Sequence, residues 1–194
     1  MSHHIYTTSG FVLGSNSYGE TGKFINIFTR ELGLVSGTAS GVRTLSSKLR
    51  YHIQDYNMAT FSLVKGKEVW RITGAKEIEN IKKLDKDKTV VYLKILNLLK
   101  RLLHGEEKNE YLFDIVYSFL NYISSNEVNK DKLFIIESLT VFRILNNLGY
   151  IKSNPILNSV VLNNDFDEII LNTVENNKKE LIFEINRALK ESHM

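Results

Sequence analysis

The sequence contains no cysteine and a single proline, Pro155. Without thiols the chain forms no disulfide and offers no thiolate to a metal, which suits a reducing compartment. Its five histidines stand at positions 3, 4, 52, 104 and 193, which is too dispersed for the clustered ligands of structural zinc. We therefore expect no metal and no other cofactor.

Long apolar runs are also missing. No uninterrupted apolar stretch is long enough to span a bilayer. The start, Met1-Ser2-His3-His4, lacks the charged and apolar regions of a signal peptide. We expect a cytoplasmic protein, and 194 residues of which 43% are hydrophobic suffice for one large domain or two small ones.

Patterns typical of catalysis are absent as well. The stretch from Gly19 to Lys23 invites comparison with a phosphate-binding loop. However, Ser17 stands where the first glycine belongs, and Phe24 replaces the hydroxyl residue that would bind magnesium. No Ser/His/Asp arrangement and no HExxH spacing occurs. We expect a protein that is not an enzyme.

Positive charge is unevenly distributed along the chain. Residues 1–78 hold nine Lys/Arg against five Asp/Glu, whereas the remainder holds sixteen against seventeen. The excess of cations therefore lies in the first part, where it indicates either an ordinary solvated surface or a surface for an anionic partner.

Five short β-rich segments with glycine-rich turns fill this first part. Alternation is clearest in Met58–Val64, where Ala59, Phe61 and Leu63 share an apolar face. Five strands without a helical period favour a small closed barrel of the oligonucleotide-binding (OB) type. The predicted strands are Tyr6–Leu13, Lys23–Thr29, Leu34–Ser40, Met58–Val64 and Glu68–Thr73, and most of their aromatic residues are expected in the core.

From about Ile78 apolar residues recur every three and four positions, which is typical of helices. The Asn-rich segment Ser153–Asp165 is expected to pack through Ile156, Leu157, Val160 and Leu162. The predicted helices are Thr89–His104, Tyr111–Ile123, one from an Asp131 cap through Leu145 to a stop at Gly149, Asp167–Glu175 and Lys178–Leu189.

The charged stretch Glu77–Lys88 is the expected domain boundary. The sequence therefore predicts an α+β protein of two domains, with an OB-fold barrel over residues 1–78 and an all-α helical bundle over residues 79–194.

A basic loop carries the main chemical signal. Gly41-Val42-Arg43 is followed by Lys48 and Arg50, with Thr44, Ser46 and Ser47 between them. Cations and hydroxyls together suit phosphate oxygens, and on a small barrel they indicate a nucleic-acid groove. The alternative is a mobile surface loop, in which case the next candidate contacts are Lys23, Lys65, Lys67 and Arg71.

Three tyrosines near loops are candidates for stacking on bases, namely Tyr18, Tyr51 and Tyr56. The alternative for each is packing or support of a turn.

The order of segments resembles the RecO family of bacterial recombination mediators. Tyr6-Thr7-Thr8-Ser9-Gly10-Phe11 is similar to the family's opening strand, and Gly41-Val42-Arg43 to its Gly-Ala-Arg loop. Further similar stretches are Tyr18-Gly19-Glu20, Ile27-Phe28-Thr29 before the turn Glu31-Leu32-Gly33, Ser47-Lys48-Leu49, Ile53-Gln54-Asp55-Tyr56 and the helix Phe142–Tyr150 ending in Leu-Gly-Tyr.

The resemblance implies a DNA-repair protein of the bacterial cytoplasm, associated with the nucleoid. It implies binding of single- and double-stranded DNA and annealing of complementary strands. It also implies work with RecR, and with the C-terminal tail of single-strand binding protein (SSB), to load recombinase on SSB-coated DNA.

Two departures from the family pattern bear on these expectations. Ser40 stands where a lysine often precedes the Gly-Ala-Arg loop, and Ser153–Asp165 lacks the cysteines of the zinc module found there in many members. Two alternatives stay open: a general RNA- or single-stranded-DNA-binding barrel, and a protein-interaction scaffold without DNA binding.

Overall fold

The computed structural model describes residues 4–79, 84–152 and 157–191. The chain divides into two compact units, one of Met1–Lys83 with Leu96–Glu110 and one of Leu84–Ile95 with Tyr111–Met194. The predictions that concern His3, His193, Pro155 and Ile156, and the part of the predicted boundary at 80–83, lie outside the described residues. The domain limits at 78 and 79 stay a prediction.

The first unit is built on five strands and one short helix. They are β1 Ile5–Tyr18, β2 Gly22–Thr29, β3 Gly33–Ala39, the short helix α1 Leu49–His52, β4 Met58–Lys65 and β5 Trp70–Glu79. The strands form a closed barrel in the order β1-β2-β3-β5-β4. All neighbouring strands are antiparallel except β3 and β5, which are parallel. The barrel and the helices that follow it confirm the predicted fold class.

Alternating side chains of β2 and β4 contribute to the barrel interior. Ile25 and Ile27 of β2 face inward, as do Phe61 and Leu63 of β4, and all four are fully buried. The side chain of Trp70 joins the same core at the start of β5. Because successive side chains in a strand point to opposite faces, residues between these positions lie on the outside of the barrel.

Two strands extend further than the sequence predicts. β1 does not end at Gly14, because the register with β2 shifts between Val12 and Gly14 and the ladder then continues to Tyr18. Such a bulge lets a strand bend without ending. β5 begins at Trp70 rather than Glu68 and runs on to Glu79, since β4 pairs with its polar second half.

The turn at Glu31-Leu32-Gly33 forms as predicted. Gly33 has φ +71°, in the left-handed region that side chains disfavour. A Cβ at Gly33 would also collide with the backbone of Glu107, and the Leu34 amide donates to the Gly105 carbonyl at 3.2 Å. The loop at 103–109 therefore lies directly against this turn.

The second unit is helical. The helices are α2 Lys86–Leu102, which contributes residues to both units, α3 Glu110–Ser125, α4 Lys130–Asn147, α5 Glu168–Asn176 and α6 Lys178–Glu191. The central helix is α4, which packs against α5, α6 and a 3₁₀ turn at Asn158–Val161. Within the described residues, no helix combines the length and the apolarity that crossing a membrane requires.

Helix α4 begins and ends with local signals. Its cap is Asn129, whose side chain accepts from the Lys132 amide, so the predicted Asp131 cap was wrong: Asp131 lies inside the first turn. Gly149 ends the helix as predicted, with φ +80° and its amide bonded to the Asn146 carbonyl.

A buried arginine ties the segment after α4 to the helix. The Arg143 guanidinium donates to the carbonyls of Val160 and Asp165, both at 2.8 Å. Leu157 and Val160 are buried as predicted, whereas Leu162 is 79% exposed and that part of the prediction was wrong. Leu162 follows the 3₁₀ turn that Arg143 fixes, and is turned toward solvent.

Burial lowers the pKa of Arg143 to about 10, while Tyr111, Asp165 and Asp167 act in the opposite direction. The guanidinium therefore keeps its charge at neutral pH, which strengthens both hydrogen bonds.

Candidate nucleic-acid interface

A groove of about 700 Å³ runs along one side of the barrel. Three of the seven cationic residues that the sequence predicts to bind DNA line this groove, namely Lys65, Lys67 and Arg71, and Tyr18 lines it too. The remaining lining residues are Thr38, Gly66, Glu68 and Val69. We call this set the barrel groove. It lies where the β1–β2 and β4–β5 connections meet the outer face of β3, the region that OB folds use to bind oligonucleotides.

Strand pairing explains why these side chains converge. Lys65 is paired with Trp70, so residues 66–69 form the hairpin connection between β4 and β5. Trp70 and Ile72 point into the core, which turns Arg71 outward beside its β3 partner Thr38. Tyr18, at the end of β1, is 57% exposed. The barrel groove therefore combines cations with an exposed aromatic ring.

Lys65 does not stand alone in this groove. Its ammonium lies 3.5 Å from Glu106 Oε2 and 5.3 Å from the centre of the Trp70 ring. Trp70 Nε1–H donates to Glu106 Oε1 at 2.8 Å. Glu106 thus lowers the positive potential at Lys65, although the exposure of both side chains limits the strength of the ion pair. Nothing in the sequence pattern signalled this role for Glu106, because it lies far along the chain from Lys65.

Arg43 lies against the β1–β2 turn. Its backbone amide donates to the Thr21 carbonyl at 2.8 Å, and Nη1 lies 3.4 Å from the Gly19 carbonyl. The same turn carries Tyr18 of the barrel groove. Arg43 is exposed, so its remaining donors face solvent beside the groove.

Lys48 and Arg50 are set around the short helix α1. Lys48 is exposed at the position that precedes the helix, and Arg50 is half-buried. The Arg50 guanidinium lies 5.1 Å from the ring centre of Tyr51, which is 55% exposed. Neither cation lines the barrel groove.

The Lys23 side chain does not line the barrel groove. Its ammonium donates to Ser15 Oγ at 3.0 Å, and Ser15 donates to an Asp55 carboxylate oxygen at 2.5 Å. Lys23 is therefore engaged in a polar chain with the β1 side of the barrel. The structure thus brings Lys65, Lys67 and Arg71 together, sets Arg43 beside them, and places Lys23, Lys48 and Arg50 elsewhere on the first unit. Ser40 is exposed next to Gly41.

The three candidate tyrosines differ in their surroundings. Tyr18 lines the barrel groove and Tyr51 accompanies Arg50, whereas Tyr56 is half-buried with φ +70° and its amide donates to the Val12 carbonyl at 2.8 Å. A ring held in such a tight turn suits support of the turn better than stacking.

Phe24 is an aromatic residue that the sequence pattern did not single out for this surface. It pairs with Thr38 across β2 and β3, and it is only half-buried. The neighbours Ile25 and Ile27 face the core, so alternation alone places Phe24 and Thr38 on the outer face. This alternation is the sequence signal from which the outward position of Phe24 could have been predicted.

Among the described residues, no group of three or more His, Asp or Glu side chains is arranged to hold a metal ion. The expectation that folding needs no metal stays a prediction.

Comparison with known proteins points to one family. Residues 1–81 match the family described as Recombination protein O N terminal. The chain is 29% identical over 133 residues to the DNA repair protein RecO of Alkaliphilus metalliredigens, which covers 65% of this chain and 52% of that protein. It is 28% identical over 138 residues to the DNA repair protein RecO of Bacillus cereus (strain AH187), covering 70% and 55%.

The chain thus spans about half the length of the curated relatives it matches. The matched family covers the residues that form the closed barrel and its groove. The barrel is therefore similar to the N-terminal domain of Recombination protein O, and about two thirds of the chain is similar to proteins named DNA repair protein RecO.

Proposed function

We propose that this chain is a DNA repair and recombination mediator that binds single- and double-stranded DNA and catalyses no chemical step. The observation that carries the proposal is the barrel groove, where three cations and Tyr18 share one surface of an OB barrel. The relatives named DNA repair protein RecO support a role in bacterial DNA repair. A place in the cytoplasm, at the nucleoid, is part of the same proposal.

The barrel groove suits binding along the phosphate backbone of DNA. Lys65, Lys67 and Arg71 neutralise successive phosphates and release their counterions, a contribution that is independent of sequence. Tyr18 offers a ring on which any base can stack. Neutralised phosphates also repel a second strand less, which favours annealing of complementary strands.

The helical unit supplies a candidate surface for a partner. A groove of about 200 Å³ between α2 and α4 is lined by the apolar side chains of Val90, Val91, Leu133 and Phe134, together with Asp87, Glu137 and Lys130. The Lys130 ammonium lies 3.4 Å from Asp87 Oδ2. The Lys178 ammonium lies 4.4 Å from the Phe134 ring centre. The apolar walls suit the apolar part of a tail such as that of SSB, and Lys178 suits its acidic part, whereas Asp87 and Glu137 oppose acidic residues inside the groove. We assign RecR a role in recombinase loading by analogy with the family.

DNA binding by the barrel groove can be tested with the triple variant Lys65→Ala, Lys67→Ala, Arg71→Ala. Removing three phosphate contacts should flatten the log–log salt dependence of single-strand binding by about 2, which amounts to about a twentyfold difference over a fourfold rise in salt. The matched control removes three exposed lysines of the helical unit, Lys152, Lys179 and Lys190, and makes the same change in net charge. Equal effects in both variants would show that net charge, not the groove, governs binding.

One observation favours the scaffold alternative, namely the neutralisation of Lys65 by Glu106. Titration of the parent protein with DNA separates the two, because a scaffold without DNA binding gives no saturable signal. Competition with RNA of the same sequence separates a general nucleic-acid binder from a DNA-directed one.

A further inference from the structure

An exposed leucine stands among the cations of the basic loop. Leu45 is 87% exposed, the largest value among the exposed large hydrophobic residues of the described chain. Within five residues of it lie Arg43, Lys48 and Arg50. Because the Leu45 side chain is exposed to water, it contributes no stability to the fold through burial. It is therefore free to contact a bound molecule.

The loop holds Leu45 in a defined place. On one side Val42 is buried in the barrel core, and on the other Leu49 packs against the same core. Between these anchors the Thr44 hydroxyl donates to the Gly41 carbonyl at 2.7 Å, and the Ser47 amide donates to the Thr44 carbonyl at 3.2 Å. Leu45 is therefore the tip of a turn that is fixed at both ends.

The loop also adjoins the barrel groove. Arg43 bonds to the β1–β2 turn through the carbonyls of Gly19 and Thr21, and that turn carries Tyr18 of the groove. A strand that lies in the groove and leaves past Tyr18 meets the loop, where cations on both sides of Leu45 attract its phosphates.

From this arrangement we propose that Leu45 is a wedge that inserts between adjacent bases of a bound single strand and breaks their stack. Minor-groove-binding proteins insert apolar side chains, leucine among them, between base steps of duplex DNA and partly unstack them, and we extend this mode to a single strand. Tyr18 then stacks on one base at the groove, and the base edges separated at Leu45 are exposed for pairing with a complementary strand. The inference rests on the proposed DNA binding and adds a residue to it.

The test uses a single-stranded oligonucleotide that carries 2-aminopurine between adenines, a base whose fluorescence rises when its stack is broken. Binding is measured separately, by the anisotropy of a dye at the end of the strand. The variants are Leu45→Ser and Leu45→Met, and the control is Leu162→Ser, another exposed leucine that lies in the helical unit.

We expect the parent, Leu45→Met and Leu162→Ser to raise the 2-aminopurine emission on binding. Leu45→Ser should keep its Kd within about threefold, because phosphate contacts carry most of the affinity, yet lose most of the emission rise. It should also anneal complementary strands more slowly.

If Leu45→Ser binds and brightens the probe like the parent, the wedge is refuted while DNA binding stands. If the parent shows no change in anisotropy, DNA binding itself is refuted, and the wedge with it. Circular dichroism of each variant confirms that a lost signal does not come from lost fold.

Discussion

Replacing Arg143 by methionine should destabilise the helical unit strongly. Arg143 is 2% exposed on α4, and its guanidinium is the donor to the carbonyls of Val160 and Asp165. It also lies 5.0 Å from the ring centre of Phe166. Methionine keeps an unbranched apolar stem but removes the guanidinium, so the change deletes every donor and the contact to Phe166 while it keeps the packing of the stem.

The size of the effect follows from burial. The hydrogen bond to Val160 is buried, and leaving that carbonyl without a donor costs about 1–3 kcal/mol. The Asp165 carbonyl is partly solvated and can be rehydrated, so its loss lies at the lower end of that range, about 1 kcal/mol. With the lost contact to Phe166 the total is about 3 kcal/mol, which corresponds to a fall in Tm of about 6–12 °C for a chain of this size.

The assay is thermal and urea denaturation followed by far-ultraviolet circular dichroism. Arg101→Met serves as the control, because Arg101 is exposed on α2 and surface changes shift stability by less than about 0.5 kcal/mol. A loss below about 1 kcal/mol in Arg143→Met would refute the reasoning, since it would mean that the two carbonyls find other partners at little cost.

Three further predictions concern charge and metal. Arg43→Ala with Lys48→Ala and Arg50→Ala should weaken DNA binding in an anisotropy titration and leave Tm nearly unchanged, because these side chains face solvent or bond at the surface. Glu106→Gln should raise the affinity for single strands at low salt, since the carboxylate beside Lys65 repels phosphate. A strong chelator should leave Tm unchanged, because a ligand absent from the native state adds no free energy to folding.

Each of these has its own contrary result. If the triple variant of the basic loop binds and anneals DNA like the parent, the phosphate contacts lie elsewhere, and the barrel groove is the next surface to examine. Unchanged affinity in Glu106→Gln would mean that its partner Lys65 makes no phosphate contact. A fall of several degrees on chelation, reversed by zinc, would reveal a site built from His and carboxylates.

The barrel could be predicted because its strands alternate. Ala59, Phe61 and Leu63 share a face in the sequence and fill the core in the structure. The second half of β5 could not be predicted in this way, since Ala75 and Lys76 have low β propensity and are strand residues only because β4 pairs with them. Pairing between distant segments overrides local preference here.

The sequence predicts the residue types of the candidate site better than their positions. The positive charge of the first part directs attention to the first unit, but only strand register shows that Arg71 joins Thr38 while Lys23 turns to Ser15. The choice of Asn129 over Asp131 as a helix cap is a similar case. Both side chains can cap, and only the structure shows that the first turn follows Asn129, whose side chain accepts from the Lys132 amide.

If the barrel binds nucleic acid through its cations, Kd must depend on salt. A single-stranded oligonucleotide titrated at several salt concentrations should give a log–log slope between about −2, if only the three groove cations contact phosphates, and about −5, if all seven site residues do. Saturable binding with a slope in this range supports the account. A flat salt dependence, or no binding at low salt, would contradict it.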